Sequence, residues 1–489
     1  VNYGNTLQQY TGIMSGGGKG DSTVIFVQQI DKSRNYVSCQ SPSKIFAVEK
    51  RKNYFLITPS ASKNSFSMSI LFTNGGVHYG MPGYTDAKQN SRTRWQQFWN
   101  SGGAIDFSGS TDKRAFELER RIILSQYLMR AQEAGEYPPQ ETGLTYNSWF
   151  GKPHLEMHWW HAAHWALWGR TELLEKNMDW YKTVAPKARD IAKRQGFDGI
   201  RWQKMTDNTG DETPSTIGAL LIWQQPHYIY FAELIYRNRK NKAVLDKYKD
   251  LVFATADFIA SYPYFDPAKQ KYILGKGMIP AQERFKAEET FNPPFEMVYW
   301  HWALTTAQQW RIRLGLPREK KWDEVMKNMA PLPIQDNKYL FTESATDSYT
   351  NPEFRTDHPA VLGAFGMMPG MNQVNDTIMR NTFNWIWNNW SWKETWGWDF
   401  PLTAMTTIRM GDREKTIDAL LMNIQTNRYL VNGHNYQDER LRVYMPGNGG
   451  LLAAAAMMCA GYDGCQEKDP GIPKNGKWKV RWEGLNKMP

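Results

Sequence analysis

From Lys113 to Ala460 the chain repeats one pattern: an apolar stripe at helical spacing, a break rich in Gly, Pro or aromatic residues, then another stripe. AFELERRIILSQYLMRAQEAG sets it, with Phe116, Leu118, Ile122, Ile123, Tyr127 and Leu128 on a 3.6-residue period and Gly135 at a C-cap position. About twelve such segments follow one another, HPAVLGAFGMM among them, with the longer breaks after every second one. Some are amphipathic. PHYIYFAELIY and GLLAAAAMMCA are apolar nearly all round, as expected of helices enclosed by others.

Alternating enclosed and half-exposed helices predict an inner ring wrapped by an outer ring. The fold class is mainly α, an (α/α)6 toroid of about twelve helices over residues 101–465. The first hundred residues have a different texture. STVIFVQQI, KIFAVEK, NYFLITPS and SFSMSILFTN are short, β-branched or aromatic, and separated by Ser, Asn, Gly and Lys, the signature of strands joined by turns. Residues 1–100 are therefore read as a β-rich region and linker, a partial β-sandwich with strands from 22 to about 86, and the loop-like opening leaves a fuller sandwich upstream as an open alternative. The tail, 466–489, carries Trp478, Val480 and Trp482 on a period of two, predicting a short C-terminal strand that returns to the β region.

Composition narrows the function. Mean hydropathy is negative and no apolar run approaches the roughly 18 residues of a membrane span, so no membrane partner is expected. The net charge of +10 is spread among Asp and Glu without a basic block, which argues against nucleic acid. The densest basic stretch, RNRKNKAVLDKYK from Arg237, reads as a solvated helix-helix junction. With 22 Trp, the chain is rich in a side chain whose flat apolar face and N–H donor suit stacking on sugar rings. Three cysteines make no disulfide framework; a bridge between Cys459 and Cys465 is geometrically open, as is simple burial. The polar, Gly-rich opening is no signal peptide, which leaves a processed or a cytosolic chain; a secreted or periplasmic location is the expectation.

The longest informative loop, Tyr262 to Pro294, is too long for a plain connection and holds Glu283 in IPAQERF, with Glu288 and Glu289 as rivals. A glycosidase needs a carboxylic acid with a raised pKa to protonate the leaving oxygen, and an aromatic-rich, semi-buried loop can supply it. A second carboxylate must face it across the bowl. The candidates are Asp438 and Glu439 in VNGHNYQDERLRVYMPGNGG, and Glu394 and Asp399 in SWKETWGWDFP, where Asp399 has an equally good reading as a helix N-cap.

In GKPHLEMHWWHAAHWALW, His154, His158 and His161 fall within about 60° of one helical face, a possible zinc stripe. Glu156 would lie on the far side, and HLEMH is not the HExxH pattern, so no metal is predicted. The interleaved Trp159 instead suggests a wall of rings and imidazoles. Arg201, Trp202 and Glu212 are placed to clamp hydroxyls, and His227, Trp396, Trp398 and His434 complete the candidate sugar contacts. SGGGKG and PGNGG lack the strand-to-helix spacing of a P-loop, and no cofactor is expected.

Over residues 90 to 489 the chain resembles the six-hairpin glycosidases of the clan holding glycoside hydrolase families 65 and 95, the maltose-phosphorylase-like and α-L-fucosidase-like enzymes. IPAQE occupies the place of the family 65 general-acid loop, which the resemblance carries onto Glu283. IRWQKMTDNTGDE looks like the family's Arg-aromatic segment through Arg201, Trp202 and Glu212, and HLEMHWW is similar to the substrate-contacting second-helix motifs. MPGNGG keeps Gly447 and Asn448 of a fucosidase element but puts Pro446 where the catalytic Asp would stand, and the fucosidase Asn pair is absent. The resemblance therefore implies a base from elsewhere: Glu439 first, then Asp438, then Glu394. Family 65 phosphorylases bind phosphate in this region instead, an alternative that Arg440 and Arg442 keep open.

The reading is an inverting glycoside hydrolase acting on an α-linked sugar, with a glycoside phosphorylase, a toroid polysaccharide lyase and a non-catalytic glycan-binding protein as alternatives. The expected partner is a carbohydrate, with an anionic glycan steered by the positive charge as one candidate.

Overall fold

The computed structural model describes residues 11–15, 22–30, 33–42, 45–50, 54–59, 64–76, 80–147 and 149–489. The opening residues 1–10 and the Gly-rich piece 16–20 lie outside them. Backbone contacts divide the chain into two units, Val1–Ser101 and Gly102–Pro489.

In the first unit, strands β1 (Thr11–Ser15), β2 (Thr23–Ile30), β3 (Ser33–Gln40) and β6 (Ser69–Thr73) form an antiparallel sheet in the order β1-β2-β3-β6, and β4 (Ile45–Lys50) pairs with β5 (Phe55–Pro59). The period of two places Val24 and Phe26 on one face, and register sets them opposite Cys39 and Val37. Phe55 and Ile57 of β5, with Met68, cover this small core. Helix α1 (Tyr84–Trp99) closes the unit. The sequence reading missed it because the segment is polar and only Phe98 is buried, so it carries almost no apolar stripe.

The second unit is the toroid. Its helices are α2 (Lys113–Gln132), α3 (His158–Leu167), α4 (Thr171–Arg194), α5 (His227–Arg239), α6 (Lys242–Ser261), α7 (Pro294–Arg313), α8 (Lys320–Asn328), α9 (Asp376–Asn389), α10 (Asp399–Met410), α11 (Arg413–Leu420) and α12 (Met445–Ala460). α3 packs on α5, α5 on α7, α7 on a short helical turn at Ala360–Ala364, that turn on α10, α10 on α12, and α12 back on α3, which closes an inner ring. HPAVLGAFGMM, expected to form a helix, contributes only that turn. Every residue of α3 and α12 is buried, whereas α4 buries one stripe and exposes its charges.

Small residues let the ring close. A Cβ on Gly449 would stand 1.9 Å from the Trp160 carbonyl oxygen, so α12 and α3 touch backbone to backbone. On α2, Leu118, Ile122 and Leu128 are buried as the period predicts, while Phe116, Ile123 and Tyr127 are exposed.

One further expectation needs correction. The tail strand Arg481–Glu483 forms, but it pairs with Ala104–Asp106, Trp482 opposite Ile105, and not with the sheet of residues 22–86. Cys459 and Cys465 are both free, buried thiols. The basic stretch does span the α5–α6 junction, where Arg237 pairs with Asp463 and Arg239 with Glu175.

Candidate active site

An outer helix returns the chain after each inner one, so the inner helices run in one direction and the segments leading into them meet at one end of the ring. There they line a cavity of about 240 Å³. Glu156 and Met157 precede α3, Lys204, Met205 and Ser215–Ile217 precede α5, and Glu283 precedes α7. Asp357 and His358 precede the turn at 360, Trp396 precedes α10, and Tyr444 precedes α12. Glu141, Trp149 and His154 come from the connection between α2 and α3. Helix N-termini carry positive partial charge, so this end of the ring favours negative groups.

Backbone pairing fixes the wall. His154 bridges to Met205, and Leu155 donates its N–H to the Lys204 carbonyl at 2.9 Å, which sets Lys204 beside Glu156. The Lys204 ammonium contacts Glu156 Oε2 at 3.1 Å and Glu283 Oε1 at 2.5 Å. The loop carrying Glu283 is tied down at that residue and at the two before it. Ala281 N–H donates to Glu296 Oε1 at 2.6 Å, the Gln282 amide to the Phe354 carbonyl at 2.8 Å, and Glu283 N–H to Asp357 Oδ2 at 2.8 Å.

Asp357 has φ 64°, a left-handed conformation that Asp tolerates better than most residues and that marks a constrained position. Its Oδ1 accepts the Trp396 indole N–H at 2.9 Å. His358 Nδ1 lies 2.9 Å from Asp399 Oδ1, and its ring stacks on Trp398 at 4.0 Å between centroids.

Electrostatics split the acidic groups. Burial pushes Glu141 up to about 7 and Glu156 up to about 8, against the pull of Lys204. Burial also opposes charge on His358, but Asp357 and Asp399 together outweigh it and hold the imidazole at about 9, so it is a cation at neutral pH. His154 goes the other way: desolvation, reinforced by Lys204, pushes it well down and keeps it neutral.

Of the residues nominated from sequence, Glu283, Glu156, His154 and Trp396 line this cavity. Trp398 and Asp399 lie directly behind it as the support of His358, and His227 fixes the Glu156 carbonyl through Nε2 at 3.0 Å. The others do not reach it. Glu439 is exposed and paired with Arg442, because its short loop turns outward between Asp438 and Leu441. Asp438 caps that turn through Leu441 N–H, and Glu394 accepts from Ser391 on the surface.

Arg201 is buried with its guanidinium on the Ala219 and Leu221 carbonyls, Trp202 is buried against Thr255, and Glu212 sits outside with Arg194. His434 is bonded to Gln132, and Asn448 ties the Asn435 N–H to Ser125. Pro446 lies in the first turn of α12, and the residue that reaches the cavity from that segment is Tyr444.

The zinc stripe dissolves because α3 begins only at His158, leaving His154 off the helix. His158 bonds Tyr181, His161 bonds Glu133, and Trp159 is core. The sequence reading missed Glu141, Trp149, Lys204, Asp357, His358 and Tyr444. The available signal was position: each inner helix is entered through a polar or aromatic residue, and TDHP before a helical start was one such entry.

This ring of paired helices is the six-hairpin toroid of glycosidase-like proteins. Over 97% of its length the chain superposes on 70% of a chain from the human microbiome described as a kojibiose phosphorylase, with a TM-score of 0.70 at 9% identity. A wild-type glycosidase, superposed over 97% of its own length and 70% of this chain, gives a TM-score of 0.51 at 11% identity. At such identities the likeness is one of fold. No protein-family model and no curated sequence matches the chain.

Proposed function

We propose that the protein is a glycoside hydrolase that cleaves an α-linked sugar with inversion. The observation that carries the reading is the cavity itself, where four carboxyl groups from three different connections, Glu141, Glu156, Glu283 and Asp357, face the rings of Trp149, Trp396 and Tyr444 in one small space. Its volume of about 240 Å³ falls below the roughly 300–1,000 Å³ of sites for drug-sized ligands, which suits one sugar ring. Glu283, on a loop clamped at three points, protonates the departing oxygen, and a second carboxylate of the cavity, Asp357, takes a proton from water. In the free enzyme Lys204 contacts Glu283 Oε1, which leaves Oε2 to carry the proton that passes to the glycosidic oxygen. Four carboxyl groups against the cations Lys204 and His358 favour a neutral sugar over the anionic glycan that the overall charge suggested.

The fold is shared with a phosphorylase-described chain, and the two cations on the wall would also suit phosphate, which supports phosphorolysis as a second reading. Digestion of a panel of α-linked oligosaccharides and aryl α-glycosides, with and without phosphate and with product anomers followed by NMR, tests both. Inverted free sugar without phosphate supports hydrolysis, and strict phosphate dependence supports the second reading. Full turnover by Glu283→Gln removes Glu283 as the proton donor.

A further inference from the structure

Glu141, His154 and Glu156 bring one ligand-type atom each within 4.8 Å of one another. They are 5%, 1% and 4% exposed; among the described residues Glu141 Oε2 and His154 Nδ1 have no hydrogen-bond partner, and Glu156 Oε2 meets only the Lys204 ammonium at 3.1 Å. Buried polar atoms are ordinarily satisfied, so two unsatisfied atoms in one cluster with a third carboxylate call for a shared donor or cation. Lys204 does not supply it for all three. It contacts Glu156 at 3.1 Å but is drawn more closely to Glu283 at 2.5 Å, and among the described residues no side-chain cation pairs with Glu141.

The backbone holds the three in place without any ligand. Met445 N–H donates to the Glu141 carbonyl at 2.9 Å, His154 is bridged to Met205, and the Glu156 carbonyl is held by His227.

We propose that Glu141, His154 and Glu156 form a binding site for a divalent transition-metal ion, Zn²⁺ or Mn²⁺. One imidazole nitrogen and two carboxylate oxygens are a donor set that such ions accept, whereas an all-oxygen set would point to Mg²⁺ or Ca²⁺. Three protein ligands leave at least one coordination position for water or a sugar hydroxyl. On binding, the cation replaces Lys204 as the counter-charge of Glu156, and the ammonium keeps its closer partner, Glu283.

The site does not rest on the glycosidase reading, and its test needs no turnover. The full chain is stripped with a chelator, dialysed and titrated with ZnCl₂ and with MnCl₂ by calorimetry, and its metal content is measured after gel filtration. One equivalent of at least one ion is expected. His154→Ala and Glu141→Gln should each weaken binding on the order of 100-fold, with unchanged circular dichroism in the metal-free state, while Glu439→Gln binds as the parent does. Should His154→Ala fail to fold, the near-isosteric Glu141→Gln decides the outcome. Absence of stoichiometric binding by both ions, or one equivalent that survives the substitutions, overturns the proposal.

Discussion

His358 Nδ1 sits 2.9 Å from Asp399 Oδ1, and Asp399 is wholly buried, so a histidine at the cavity wall is held as a cation by Asp357 together with a carboxylate that never meets solvent. The same carboxylate accepts the Trp396 backbone N–H through Oδ2 at 2.8 Å, so one buried group anchors both a charge of the cavity and the backbone that carries one of its rings.

The His358 shift makes stability depend on alkaline pH. The pKa rises from 6.5 to about 9 on folding, so its contribution is full below pH 6.5 and is lost as pH rises through 9. The shift corresponds to about 3 kcal/mol. Urea melts of the parent should lose at least that much between pH 6.5 and 9.5, because Glu156, held up to about 8 by burial, loses stability in the same direction up to that pH. Asp399→Asn should shrink the His358 part of this limb, which Asp357 also supports, while lowering stability at pH 6.5.

Lys204→Met leaves Glu156 with no cationic partner in the wall and removes the charge beside Glu283. Breaking a buried pair in this way should destabilise by about 3 kcal/mol. Chemical denaturation measures it, and Lys204→Met combined with Glu156→Gln should recover part of the loss.

Trp396 offers a ring to the cavity and an N–H to Asp357. Trp396→Ala should weaken binding of the sugar product by about 1–2 kcal/mol, roughly ten-fold in Kd. Trp396→Phe, which keeps a ring but frees Asp357, should keep most of the affinity and lose turnover. Equal losses of affinity in the two variants would argue against stacking.

Gly449→Ala tests the ring closure. In an open helix the change stabilises by about 1 kcal/mol, but here the new methyl would stand 1.9 Å from the Trp160 carbonyl oxygen and 3.0 Å from its carbon. Neither backbone can yield without moving a helix, so a loss of about 3 kcal/mol is expected. Thermal melting reads the sign directly.

The sequence by itself determined the class of fold. Apolar periods and their breaks are local properties, and a helix that is apolar all round, such as Met445–Ala460, has no stable place except inside other helices. It also marked Glu283, because a loop of that length and composition stands out one residue at a time. Only the tertiary structure decided which groups share the cavity. Glu156 meets Lys204 through pairing of the 155 and 204 backbones, and Asp357 meets Glu283 through a side chain to backbone bond across 74 residues. Glu439, acidic and well placed along the chain, turns to solvent because its loop closes on itself. Convergence of this kind depends on six helix entries meeting at one end of a ring, and no local pattern of residue types encodes which side of a loop faces that end.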